Sequence, residues 1–206
     1  MNVPLFKLLI HPHEAWQEMH GQEAAAPRQF LGHLVLLALL PAVCLFIGTS
    51  QTGWPLSDQE RVWLATGSAL QLCMLLYLAM LVSVWVVSLL IQWLSGRFGP
   101  RPGYNHCIGF VTYAAAPFFI AGIVMLYPNR WLTGLALIVA ALWSSWLLLV
   151  GAPGFMRTPA GKALPYALLV WVLAIAVTLL TLWLAMNLWQ ALGPEYVLET
   201  LGEVVP

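Results

Sequence analysis

The sequence predicts an all-α, polytopic membrane protein with five transmembrane helices, its N-terminus cytoplasmic and its C-terminus outside. Three observations carry that expectation. First, 61% of the 206 residues are hydrophobic and 8% are charged, against roughly 45–50% and 25% in soluble domains. Second, five apolar stretches each approach or exceed the roughly 20 residues needed to cross a ~30 Å hydrocarbon layer. Third, the basic residues fall mostly into alternate loops. Eight basic and eight acidic side chains give a net charge of zero, too few to cover a water-facing surface of this size. Excluded are a soluble enzyme domain, a disordered chain and a basic nucleic-acid binder.

Residues 1–29 are read as a cytoplasmic N-terminal segment. Its apolar piece, Leu5 to Ile10, is short and interrupted by Lys7, unlike a cleavable signal. His11-Pro12 follows, and proline suits the first turn of a helix. Phe6, Leu9, Trp16 and Met19 then line one side of a short amphipathic helix. Two readings stand for it: a helix resting on the inner leaflet, or an ordered lead-in without membrane contact.

Residues 30–188 hold the five spans, Phe30–Gly48, Val62–Leu94, His106–Leu126, Trp131–Val150 and Leu164–Leu188. The second exceeds what a bilayer requires, so it tilts or projects beyond the membrane. No Asp, Glu, Lys or Arg lies within any of the five. Each such residue at a helix centre costs about 2.5–3.5 kcal/mol on insertion scales, and proteins retain them where ions or protons travel. Residues 189–206 form an acidic tail carrying Glu195, Glu199 and Glu203 but neither Lys nor Arg.

Lys7, Arg28, Arg97, Arg101, Arg157 and Lys162 share one side of this arrangement, leaving Arg61 and Arg130 opposite. The positive-inside rule therefore directs the N-terminus to the cytoplasm, and an odd span count sends the acidic tail outside. Trp54, Trp63, Trp131 and Trp189 fall near outer span ends and Trp93 near an inner one, as expected of an aromatic belt. Trp85, Trp143, Trp146 and Trp171 lie deeper, at helix interfaces or facing lipid.

Within the spans, Pro41 and Pro117 each remove a backbone donor, freeing the carbonyls of Leu37 and Tyr113. Such kinks act as hinges or merely shape packing. Ala114, Ala115, Ala116, Ala121 and Gly122 permit close helix approach, which makes the third span the expected centre of the bundle. Tyr113 then needs a freed carbonyl or another polar partner for its hydroxyl. The stretch from Phe46 to Trp54 is read as non-helical. Gly48 and Gly53 allow a sharp turn, and Thr49 and Gln51 satisfy backbone ends beside Trp54, unless the stretch lines a small polar vestibule.

Three cysteines, Cys44, Cys73 and Cys107, lack CxxC spacing and read as small buried hydrophobes. His11, His13, His20, His33 and His106 lie toward the cytoplasmic side with Cys107. His11-x-His13 is not the three- or four-residue spacing of helical ligand pairs, so no metal is expected. A phosphate-cradling glycine loop, GxSxG and HExxH are all absent. No enzyme activity and no cofactor follow.

The residues also carry a resemblance. His11-Pro12, Pro41, Phe46-Ile47-Gly48-Thr49 with Gln51, Gly53 and Trp54, then Arg101-Pro102, His106-Cys107, Tyr113, Pro117, Tyr127-Pro128 and Trp131-Leu132 occur in an order that resembles the bacterial YohC-like inner-membrane branch of the Yip-domain superfamily. The resemblance covers about Phe6 to Val150. It implies five spans, a cytosolic N-terminus and an outward C-terminus. In eukaryotes such proteins are adaptors that bind small GTPases and one another; for the bacterial branch the resemblance implies a fold and a location. The positions it singles out are Pro41, Gly48, Thr49, Gln51, Gly53, Trp54, Arg101, His106, Tyr113 and Pro117.

Composition and resemblance together point to a multi-pass protein of the bacterial inner membrane, working as a non-enzymatic adaptor or assembly factor. Its partners are membrane lipids and a membrane protein or second copy, with no nucleic acid. The competing reading is a transporter, channel or lipid-handling protein for a neutral or lipid-like substrate, with Pro41 and Pro117 opening a path as broken helices do in carriers.

Overall fold

The computed structural model describes residues 5–20, 27–55, 61–98, 102–127, 129–156, 159–198 and 204–205. Two short helices, α1 (Leu5–Ile10) and α2 (Pro12–His20), precede α3 (Pro27–Ile47). A π-helical turn, Gly48–Thr52, extends α3 and leads to strands β1 (Trp54–Pro55) and β2 (Arg61–Leu64). Then come α4 (Thr66–Phe98), α5 (Tyr104–Ala121) with a 3-10 turn at Gly122–Leu126, α6 (Arg130–Gly154) and α7 (Ala160–Ala191). Strands β3 (Tyr196–Leu198) and β4 (Val204–Val205) follow.

Among the described residues, five helical segments are long and apolar enough to cross a membrane: Phe30–Thr52, Thr66–Phe98, Tyr104–Leu126, Arg130–Pro153 and Gly161–Ala191. At ~1.5 Å per residue, the 33 residues of α4 reach about 50 Å and the 32 of α7 about 48 Å. Both exceed the hydrocarbon layer of about 30 Å, and they pack on one another. The centre of the bundle is α5. Of the most apolar window of its span, 67% is buried, against 11% for the α7 span. Around α5 stand α3, α4 and α6, with α7 outside them on α4 and α6. Small residues bring the helices together: a Cβ on Gly109 of α5 would lie 3.2 Å from the Phe30 ring of α3. The Ser144 hydroxyl of α6 donates to the Ala114 carbonyl of α5 at 2.6 Å.

Two sequence expectations are corrected. Val62 was expected to start the second span, but Arg61–Leu64 is a strand and the helix starts at Thr66. The stretch from Phe46 to Trp54 is helical as far as Thr52. The hydroxyls of Thr49 and Ser50 donate to the carbonyls of Leu45 and Phe46 at 2.8 and 2.6 Å, and the Gly53 amide closes the wide turn on the Gly48 carbonyl. Gly53 alone breaks direction, at φ 72°, where an L side chain is strained.

The acidic tail carries structure that the sequence did not announce. Strand β3 joins β2, and the four strands form one antiparallel sheet in the order β1-β2-β3-β4. Trp54 pairs with Val62, Trp63 with Val197, and Tyr196 with Val205. Gly193, at φ 66°, turns the chain from α7 into β3. Ser68 anchors the junction: its hydroxyl accepts from the Glu195 amide at 3.0 Å, and its carbonyl accepts from Trp189 Nε1 at 3.3 Å. Trp189 is thereby buried with Leu64 and Ala69.

At the opposite end of the bundle, α1 and α2 form a unit clamped by Lys7, which hydrogen-bonds Glu18 and lies 3.8 Å from Glu14. Glu18, and less strongly Glu14, hold the Lys7 ammonium above its usual pKa. Helix α2 rests on α6. Trp93 and Trp131 are exposed, with the Arg97 and Arg130 guanidiniums over their rings at 4.8 and 5.6 Å. Trp85, Trp143, Trp146 and Trp171 point away from the bundle.

Candidate functional site

The positions singled out in the sequence separate into two groups along the bundle. At the sheet end, Pro41 and Gly48 of the first span meet the 3-10 turn that closes α5. A Cβ on Gly122 would sit 2.3 Å from Pro41 Cβ, and one on Gly48 would sit 1.9 Å from the Met125 carbonyl oxygen. Proline at 41 therefore lies flat on a glycine, and glycine at 48 lets two backbones touch. Thr49 is buried and its hydroxyl stays local, on Leu45 and Phe46. The Thr52 hydroxyl donates to the Leu126 carbonyl at 3.0 Å, a third tie between the same two elements. Gln51 contributes its backbone carbonyl, 3.4 Å from Trp63 Nε1. The Trp63 ring covers Gly53, where an added Cβ would stand 2.8 Å from it. Trp54 enters the sheet through its backbone pairing with Val62.

At the N-terminal end, Tyr113 is fully buried and its hydroxyl lies 2.8 Å from His33 Nδ1. The polar partner expected for Tyr113 is thus a side chain on the first span. Phe30 meets the Tyr113 ring edge-on at 5.9 Å. His106 stacks on Phe155 with ring centroids 3.8 Å apart, and its Nε2 lies 2.7 Å from the Phe155 carbonyl. A carbonyl only accepts, so that nitrogen is the protonated one. His106 and Tyr113 therefore fasten α6 and α3 respectively to α5. Pro117 is buried in α5 between the two groups. Arg101 lies outside the described residues.

Trp16 was read as one member of an amphipathic face, and it is seated inside the protein. Its ring is fully buried, 5.5 Å from Phe110 and 4.9 Å from Phe155. Gly151 makes the room, since a Cβ there would stand 2.7 Å from Phe110 and 2.9 Å from Trp16. Phe6, Leu9 and Met19 belong to that expected face, but their side chains lie outside the described set. The glycine was the available signal for this seat, but the sequence reading ends the fourth span at Val150 and leaves Gly151 in the loop beyond it. Trp16 Nε1, Thr112 Oγ1 and Tyr166 Oη are buried without a hydrogen-bond partner.

Chemically, these are packing ties. Among the described residues, no three His, Cys, Asp or Glu side chains gather where they could hold a metal ion. The imidazoles of His33 and His106 are engaged separately, by the Tyr113 hydroxyl and by the Phe155 carbonyl. The three cysteines are buried thiols.

A five-span bundle without an Asp, Glu, Lys or Arg inside its apolar stretches, closed by backbone-to-backbone glycine contacts, defines a multi-pass helical membrane protein. The chain belongs to the Yip1 domain family, which matches residues 6–181. It is 32% identical over 182 residues to the inner membrane protein YohC of Escherichia coli K12, covering 88% of this chain and 93% of that protein. The same identity and coverage hold for YohC of E. coli O6:H1 strain CFT073. No solved structure matches the chain. The protein is accordingly a multi-pass inner-membrane protein, and the family match extends some thirty residues past Val150, where the resemblance in the residues gave out.

Proposed function

We propose that the protein is a non-enzymatic membrane adaptor or assembly factor, oriented with its N-terminus in the cytoplasm and its acidic tail outside. The observation that carries this reading is the close packing of spans one and three around an interior that, among the described residues, buries no Asp, Glu, Lys or Arg. Span one lies against the end of span three at Pro41–Gly122 and Gly48–Met125, and α5 fills the centre with apolar and small side chains. Ion-coupled carriers keep ionisable residues at membrane depth; the apolar stretches of this chain hold no Asp, Glu, Lys or Arg, and their two histidines, His33 and His106, lie against Tyr113 and the Phe155 carbonyl. The kink positions support packing: Pro41 is occupied by Gly122 and Pro117 is buried. Working surfaces then remain at the cytoplasmic end and along α7, whose Leu179, Leu180 and Trp183 are exposed.

The test is native mass spectrometry of the protein released from lipid nanodiscs. A reproducible protein adduct or defined homo-oligomer is the expected outcome. A bare chain holding a stoichiometric small molecule, followed by flux of that molecule into liposomes, would overturn the reading in favour of transport. Orientation is checked by labelling a Glu199→Cys variant in intact cells with a maleimide that crosses the outer membrane but not the inner one. Labelling is expected, and its absence until the inner membrane is permeabilised would reverse the topology.

A further inference from the structure

We propose that the α1–α2 pair is a strap whose Trp16 seats and unseats in an aromatic socket at the N-terminal end of the bundle. The socket is built by Phe110 of α5 and by Gly151 and Phe155 at the end of α6, with His106 stacked behind Phe155. Seating is favoured by complete burial of the indole, the largest apolar surface any side chain offers. It is opposed by the indole N–H, which is buried with no partner. A polar group in that state forfeits its hydrogen bond to water, and it regains one as soon as the ring leaves.

Tyr104, Thr112 and Tyr166 also bury unpaired hydroxyls, but each sits on a membrane span that cannot withdraw. Trp16 sits on a nine-residue helix whose principal neighbours are α1 and α6. The Lys7 contacts to Glu14 and Glu18 join α1 to α2 and not to the bundle, so the pair moves as one body. Opening uncovers an aromatic recess beside His106. The strap thus occupies that recess from within the same chain, a self-covering contact that does not depend on the adaptor reading.

The experiment places a reporter cysteine at Ala15, which is 2% exposed beside Trp16. Cys44, Cys73 and Cys107 are replaced by alanine, and the protein is held in nanodiscs, where both faces are open to a soluble maleimide. Labelling of Ala15→Cys at a measurable rate is expected without denaturant. Replacing Trp16 by benzothienylalanine keeps the bicyclic ring and its buried area but removes the orphan N–H, and should slow labelling about tenfold, equivalent to ~1.4 kcal/mol. Adding Gly151→Ala crowds the socket and should speed it. Monodisperse elution and unchanged helical content establish that each variant is folded. A reporter that labels only on denaturation would overturn the proposal, as would equal or faster labelling with benzothienylalanine at position 16.

Discussion

Alanine at Gly48 tests the way the first and third spans are joined. The added Cβ would stand 1.9 Å from the Met125 carbonyl oxygen and 3.1 Å from its carbonyl carbon. Carbon and carbonyl oxygen rest at about 3.3–3.6 Å even in close Cα–H···O contacts. The two segments must therefore part by about 1.4 Å. The obstacle is backbone, which no rotamer change can clear. The Pro41–Gly122 contact, two helical turns earlier, resists the same movement. Overpacking of this kind typically costs about 1–3 kcal/mol. Gly134, in α6 with nothing within 4 Å of its Cβ position, is the control. Its alanine variant gains helix propensity, up to about 1 kcal/mol. Thermal unfolding in detergent, followed by tryptophan fluorescence, reads the difference. At roughly 2–4 °C per kcal/mol for a chain of this size, Gly48→Ala should melt at least several degrees below Gly134→Ala. Equal melting temperatures, or a higher one for Gly48→Ala, would refute the close-approach argument.

Three other outcomes are expected. Tyr113→Phe removes the hydroxyl on His33 Nδ1 and should cost about 1 kcal/mol; a cycle with His33→Leu should show coupling, and strict additivity would remove the contact from the account. Val62→Cys with Leu198→Cys should form a disulfide on mild oxidation, since directly paired antiparallel residues lie about 4.5–5.5 Å apart and those two are paired. Trp63→Cys with Leu198→Cys, one residue out of register and on opposite faces, should not; the reverse result would break the register. Because the Lys7 pKa is raised in the folded chain, its contribution is complete below the ordinary lysine value near ~10.4 and is lost as pH climbs through the higher folded value. Protection of α1 from exchange or proteolysis should therefore be flat from about pH 7 to 9 and fall only above that, and a loss within the neutral range would assign the clamp elsewhere.

Hydropathy located all five spans because a bilayer demands uninterrupted apolar length, and the amino acids alone satisfy or fail that demand. It misplaced the start of the second span for the same reason. Val62-Trp63-Leu64 is as apolar as the helix it precedes, and what makes it a strand is Tyr196–Leu198, more than a hundred residues away. Strand preference depends on what lies alongside. Tyr113 was legible as a residue in need of a polar partner, yet His33 reads locally as an interfacial histidine, and only the crossing of α3 and α5 joins them. Gly48 was noticed as a turn former. Its actual use is proximity to Met125, a property of two segments that no single-segment pattern contains. Trp16 fails similarly: amphipathic periodicity says that one side of a helix is apolar and leaves open whether lipid or protein meets it.

The clasp between β2 and β3 has a consequence for how the molecule is made. The segment Arg61–Leu64 leaves the ribosome after the first span alone, and its partner Tyr196–Leu198 follows the fifth. Through the insertion of spans two, three, four and five, the earlier strand must wait with its outer edge open. The sheet can zip only when the end of the last helix arrives on the same side of the membrane as the first loop. A chain that inserts one span too few, or in the wrong sense, delivers β3 to the wrong compartment and leaves β2 exposed. Closure of this small sheet therefore requires that the spans between the two strands bring both to one side of the membrane. An unclosed β2 edge would give quality-control proteases a distinguishing mark on misassembled chains.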